Sequence, residues 1–341
     1  MSSIVIAGVG AVSPAGWGIQ ALIEAIDSNA VLPRAELVRE RKQAAPVVTP
    51  VLRVPAAVSG LPRNPRLRRV SPISKFAASA AIEALGPERI ERVAAGELRL
   101  GVICTLMNGC VNYSNRFFGE VLENPSVASP ILFPETVFNA PSSHLSAMFS
   151  STAPNDTLLG DSAEIFTGLE LATEWLLRGD CDGVLVVAPE EIDWLSAEAL
   201  RLYSRDYVAS EGAAAIYLQS GGDGPRLLSV PDPIPLNAGA DRAESLRQLV
   251  EESGASDDGG TLLSDSRSGV GRFDAPENAV FGDWTGPGIS VRKILGEAFC
   301  ASAGLQLVAA VDRVQRGAVE RALVTTLGGN EQAAGCWIGR K

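Results

Sequence analysis

Short apolar runs rich in β-branched residues alternate with helical, often alanine-rich segments along almost the whole chain. Strands are expected at residues 3–8, 98–105, 157–159, 183–188 and 212–219. Helices are expected between them, at 17–26, 71–85, 108–123, 137–149 and 165–178. A turn cluster follows, Ser220-Gly221-Gly222-Asp223-Gly224. The same grammar then resumes, with strands at 226–230, 260–264, 322–327 and 335–338 and helices at 240–252 and 300–314. Apolar strands separated by helices require sheets covered on both faces, so the pattern predicts an α/β protein. The turn cluster divides the chain into residues 1–220 and 221–341. Residues 30–70, rich in Pro and Arg and with little periodicity, read as an irregular insertion of the kind tied to function or interfaces. With 341 residues and 46% hydrophobic content, the chain can bury one large core or two ordinary ones.

Charge narrows the function classes. Twenty-nine basic residues stand against 40 acidic ones, a net charge of −11. Nucleic acid as the main partner is disfavoured, because phosphate binding needs a basic field. The five cysteines, Cys104, Cys110, Cys181, Cys300 and Cys336, show no CxxC spacing and are odd in number. Neither a disulfide framework nor a zinc site is expected, and burial as small hydrophobes is. No metal or cofactor is expected. Gly8-Val9-Gly10 resembles part of a dinucleotide fingerprint but completes no GxGxxG. The N-terminus lacks the basic and apolar regions of a signal peptide, and no run approaches a membrane span. A soluble, cytoplasmic setting is the expectation. The five tryptophans are scattered, and core packing is their default role.

Four segments, in order, resemble the β-ketoacyl synthase branch of the thiolase fold. They are Val5-Ile6-Ala7-Gly8-Val9-Gly10-Ala11-Val12-Ser13-Pro14-Ala15-Gly16, then Asn139-Ala140-Pro141-Ser142-Ser143-His144 with Ala153-Pro154-Asn155, then Glu211-Gly212-Ala213-Ala214-Ala215, and finally Gly328-Gly329-Asn330. The resemblance implies two pseudo-repeated halves in a five-layered αβαβα sandwich, shorter than usual for the family. It also implies a dimer, either a homodimer or a heterodimer with a ketosynthase, and an acyl carrier protein as partner. Counting from Pro154, the family's nucleophilic cysteine is replaced by Ser162. The first family histidine opens a glycine-rich loop followed by an Asp and a Glu. Ser266 takes its place here, with that spacing to Asp274 and Glu277. The second histidine position falls on Glu297, within about one residue, and Lys293 stands where the family has a lysine. The sole histidine, His144, falls on a helix that the family places near the dimer interface.

These replacements bear on chemistry. A thiol ionises near a pKa of about 8.5, and a helix N-terminus lowers that further, whereas a serine needs an adjacent base. Ser266 is a weak neutral donor, and an ionised Glu297 repels a developing anion. Decarboxylative condensation is therefore not expected. Two readings stay open. One is a non-condensing subunit of the chain-length-factor type, paired with an active ketosynthase. The other is an acyltransferase or thioester hydrolase acting on acyl carrier protein or acyl-CoA thioesters, with Ser162 as nucleophile and Glu297 as base. Asp161-Ser162-Ala163-Glu164 is also an ordinary helix start. Arg63, Arg66, Arg68, Arg69 and Lys75 form a basic cluster in an acidic protein, suited either to docking of a carrier protein or to a plain solvated surface.

Overall fold

A computed structural model describes residues 3–41, 43–56, 64–236, 241–329 and 332–340. The first stretch of elements is β1 (Ile4–Ser13), β2 (Gly16–Trp17), α1 (Ile19–Asp27), β3 (Ala35–Arg41), β4 (Ala44–Leu52), α2 (Pro72–Ala94), β5 (Leu100–Leu106), α3 (Val111–Glu123) and α4 (Ala140–Phe149). Next come β6 (Asn155–Leu159), α5 (Glu164–Arg178), β7 (Gly183–Glu190), α6 (Trp194–Tyr203), β8 (Ala209–Ser210) and β9 (Gly212–Ser220). The remainder is β10 (Arg226–Ser229), β11 (Ile234–Pro235), α7 (Arg242–Ser253), β12 (Leu262–Asp265), α8 (Gly271–Phe281), β13 (Gly288–Ser290), α9 (Val291–Leu295), α10 (Cys300–Gln315), β14 (Arg321–Leu327) and β15 (Gln332–Gly339).

Among the described residues, one mixed sheet runs in the order β13-β12-β14-β15-β10-β1-β9-β7-β5-β6. Strands β10, β12, β13, β14 and β15 repeat the spatial order of β1, β5, β6, β7 and β9. The two wings fold onto shared helices. α5 packs on β5 and β7, and α10 touches β9 on one wing and β14 on the other. α2 and α4 cover the outside of the first wing, and α7 packs on β15 with α8 beside it. The result is a five-layered αβαβα sandwich. Its central layer is the apolar cluster that includes Ile165, Leu169, Leu307 and Val311, all buried.

Glycines set two of the close approaches. A Cβ on Gly8 or Gly10 would run into the backbone carbonyls of Ala84 and Ala80. These glycines therefore let α2 lie on β1, and the Gly8-Val9-Gly10 turn of phrase is a packing device. At Gly304 a Cβ would meet Ala214 Cβ at 2.6 Å and Ile165 Cδ1 at 3.1 Å, so the missing side chain seats α10 in the central layer.

Several expectations need correction. Residues 35–52 are not irregular: β3 and β4 form a hairpin, and β4 pairs in parallel with β8. Charged residues on β3 and Pro46 and Pro50 on β4 disguise the strands; both prolines precede Val51 and Leu52, where β4 pairs with β8, so they fall on a stretch with one side unpaired. The helix expected at 71–85 continues to Ala94 across a break at Gly86-Pro87, where Gly86 sits at φ 70°. Helices α6 and α8 were not expected. α8 contains Pro276, which blurs its period, whereas α6 carries a legible start signal. Asp193 and Ser196 form a reciprocal capping box there. No described helix is long and apolar enough to cross a membrane.

Candidate functional site

Three separate parts of the chain converge on one cavity of about 280 Å³. Ser162, Ser266 and Glu297, positions far apart in sequence, all line it. Ser162 lies in the turn into α5, and Glu297 in the turn into α10. Because α5 and α10 pack side by side in the central layer, their N-terminal ends meet. Around Ser162, Asp161 braces the turn by accepting the Ala163 N–H at 3.1 Å. Gly328 presses so closely on Asp161 that a Cβ there would collide with the carboxylate. The rest of the wall is largely apolar, including Met107, Leu200, Phe273, Phe299 and Leu327.

A line of hydrogen bonds joins Ser162 to Glu297. Ser162 Oγ lies 3.1 Å from Thr326 Oγ1 on β14. Arg292 Nη2 donates to the same threonine oxygen at 2.7 Å. Arg292 Nη1 then pairs with Glu297 Oε2 at 3.0 Å, and both side chains are more than nine-tenths buried. The second oxygen of Glu297 accepts the Phe299 N–H at 2.8 Å. Thr326 is fully buried, and its hydroxyl oxygen is the point at which the Arg292 guanidinium and the Ser162 hydroxyl meet. Among the described residues no base is hydrogen-bonded to Ser162, and Thr326 and Arg292 stand between it and Glu297.

The turn into α10 is strained. Phe299 adopts φ 48°, ψ −121°, in the region that favours glycine, and its ring lines the cavity. Glu297 is pinned by its backbone, donating to Val208 O at 2.9 Å and accepting from Ser210 N–H at 2.8 Å. Ser266 is equally fixed. Its N–H and hydroxyl donate to Glu277 Oε1 at 2.8 and 2.9 Å, and its oxygen accepts the Leu327 N–H at 3.0 Å. Asp274 holds the same loop through Ser268 and Gly269. Burial, together with the charge of Asp265, pushes the Glu277 carboxyl up to about 7.

Lys293 does not reach the cavity. The side chain that enters is its neighbour Arg292, while Lys293 faces an adjoining cavity. His144 is also elsewhere, with its Nε2 2.9 Å from Glu135 Oε1. Arg66, Arg68 and Arg69 are exposed around a short 3₁₀ turn and Lys75 is half-buried, while Arg63 lies outside the described residues. All five cysteines are buried. Burial pushes the Cys104 thiol up to about 12, which leaves it unreactive. The sequence offered Arg292 or Lys293 as an ion-pair partner for Glu297, and it is Arg292; it missed Thr326 and the contributions of Leu200 and Tyr203 from α6. The capping box before α6 was the available signal for the last two. No signal in the sequence marked Thr326. Among the described residues no cluster of His, Cys, Asp and Glu could hold a metal ion.

No protein-family model matches the sequence, and no curated protein does. Solved structures do. The chain matches the ishigamide ketosynthase/chain length factor with a TM-score of 0.82 at 16% identity, covering 99% of each chain. A ketosynthase in complex with its chain length factor from Xenorhabdus doucetiae matches with a TM-score of 0.81 at 13% identity, over 100% of this chain and 98% of that one. A type II polyketide synthase acyl carrier protein in complex with its hexaketide-bound ketosynthase is similar at 0.77 and 15%, over 100% of both chains. The fold is that of the β-ketoacyl synthases.

Proposed function

We propose that this chain is a non-condensing subunit of the chain-length-factor type, which pairs with an active ketosynthase and helps to enclose its acyl or polyketide chain. The observation that carries this reading is the state of Ser162. Its hydroxyl shares a hydrogen bond with the Thr326 hydroxyl, which also accepts from Arg292, and among the described residues no carboxylate is hydrogen-bonded to it. Such a group binds a carbonyl oxygen and does not attack one, because attack requires a base to take the proton. Glu297, the one candidate base, is committed to Arg292 and to the Phe299 N–H. Ser266, between Glu277 and Leu327, is likewise saturated. The alternative, acyl transfer or hydrolysis from Ser162, has no observation in its favour.

Partner surface supports the same reading. β6 is an edge strand of the sheet, with an unpaired side available for pairing. α3 and the segment after it expose Phe118, Leu122, Val127, Ile131 and Phe133, and β6 exposes Leu159, each more than half exposed. Large exposed apolar patches mark interaction sites. β6 leads within three residues to Ser162, so a partner seated there lies beside the cavity. The solved neighbours include a ketosynthase bound to its chain length factor and one bound to its carrier protein. Docking of a carrier protein on Arg66, Arg68, Arg69 and Lys75 belongs to the same proposal. These cations have no acidic partner among the described residues.

Intact-mass spectrometry after incubation with octanoyl and malonyl carrier protein thioesters tests the reading, with Ser162→Ala alongside. No adduct and no thioester hydrolysis are expected from either protein. Acylation of the wild type that is absent in Ser162→Ala would make this an acyltransferase and overturn the proposal.

A further inference from the structure

A second cavity, of about 260 Å³, lies behind the buried ion pair and shares Tyr207, Arg292 and Glu297 with the first. Its other charged lining residues are Arg34, Lys293 and Asp206. Arg292 and Glu297 neutralise one another. That leaves two cations facing one carboxylate, in a protein whose net charge is −11. Among the described residues Arg34 and Lys293 have no ion-pair partner, and neither has an interaction beyond those described here. Positive charge concentrated in a concave wall raises the local concentration of anions. The two cations are also complementary in form: a guanidinium offers a planar fork that matches phosphate oxygens, and an ammonium supplies a compact point charge.

We propose that this cavity binds a phosphate-class oxyanion, held by Arg34 and Lys293. Arg292 connects it to the first cavity. An anion against the shared wall competes with Glu297 for the guanidinium, and the guanidinium in turn donates to Thr326, the hydrogen-bond partner of Ser162. Occupancy of one cavity thereby alters affinity at the other, and the coupling is reciprocal. The site depends on neither the partner ketosynthase nor an acyl chain, so it stands or falls apart from the function proposed above.

The test is an isothermal titration calorimetry measurement on the full chain with inorganic phosphate and with pantetheine 4′-phosphate, at constant ionic strength. Pantetheine serves as the uncharged control. Saturable binding is expected, weaker by about tenfold or more in Lys293→Met and in Arg34→Met, the loss of one charge-assisted contact. Both side chains are exposed, so neither substitution disturbs the core. Tighter binding of the pantetheine ester than of phosphate identifies a carrier arm or coenzyme as the source of the anion. Equal binding identifies free phosphate. Titration without saturation, equal affinity in wild type and both variants, or equal binding of pantetheine and its phosphate would overturn the proposal.

Discussion

Ser162, Thr326, Arg292 and Glu297 form one line in which a cation stands between the serine and the carboxylate of Glu297. Arg292 and Glu297 are both nearly enclosed, so removing one partner strands a buried charge. Glu297→Ala is expected to cost about 3–5 kcal/mol in a urea melt, and the double variant Arg292→Met/Glu297→Leu to recover most of it. An equal loss in the single and double variants would show that the pair contributes nothing specific. Glu277 offers a second test. Its carboxyl stays protonated in the fold up to about 7, against an ordinary 4.5 in the open chain. Folding therefore takes up a proton between these values, and stability falls as pH rises from about 4.5 to 7. Glu190, pushed up to about 8 by complete burial, acts with the same sign and extends the fall. Urea midpoints measured between pH 5 and 8 should decline, with a flatter lower part in Glu277→Gln.

At the scale of elements, two features of the sequence were readable for different reasons. Long apolar strands and alanine-rich helices announce themselves by composition and period, which is why β7, α5 and α10 fall close to expectation. Short elements between glycines do not. α9 spans five residues, Val291–Leu295, and ends at Gly296, whose φ is 75°. A one-residue change of register there decides whether Arg292 or Lys293 enters the cavity, and no five-residue period can settle that. Hairpin β3–β4 was hidden because its faces are half-exposed and carry charge and proline. The packing of α2 on β1 supplies a test. In Gly10→Ala the added methyl group meets a backbone carbonyl, which cannot rotate away. A loss of about 1–3 kcal/mol or more is expected in thermal melting. A wild-type melting temperature would mean that the helix shifts freely and the close contact is incidental.

For the molecule as a whole, the repeated strand order on the two wings brings Ser162, Ser266, Arg292 and Glu297 to one cavity. The ends of the sheet are β13 and β6, and assembly is expected to use the β6 edge and the exposed apolar side chains of α3. Leu122→Asp combined with Leu159→Arg is expected to abolish assembly with a ketosynthase, or self-association, in analytical ultracentrifugation, while the melting temperature stays near wild type. Both residues are more than half exposed, so their replacement leaves the core intact. Unchanged sedimentation would move the partner surface elsewhere.

Readable from the chain alone were the α/β class, the resemblance to the ketosynthase fold and, through that resemblance, positions 162, 266 and 297 as candidates for one site. Each follows from composition, period or ordered motifs, which are local properties of the chain. The carboxylates Asp274 and Glu277 were also legible from their spacing to Ser266, and the structure has them holding that loop. Packing alone settled the partner of Ser162, the enclosure of Glu297 by Arg292, and the existence of the second cavity. Those depend on which buried groups face one another and on which side chains share a wall. Such relations link residues 162, 292, 297 and 326, and they arise only once β14, α9 and the starts of α5 and α10 are packed together.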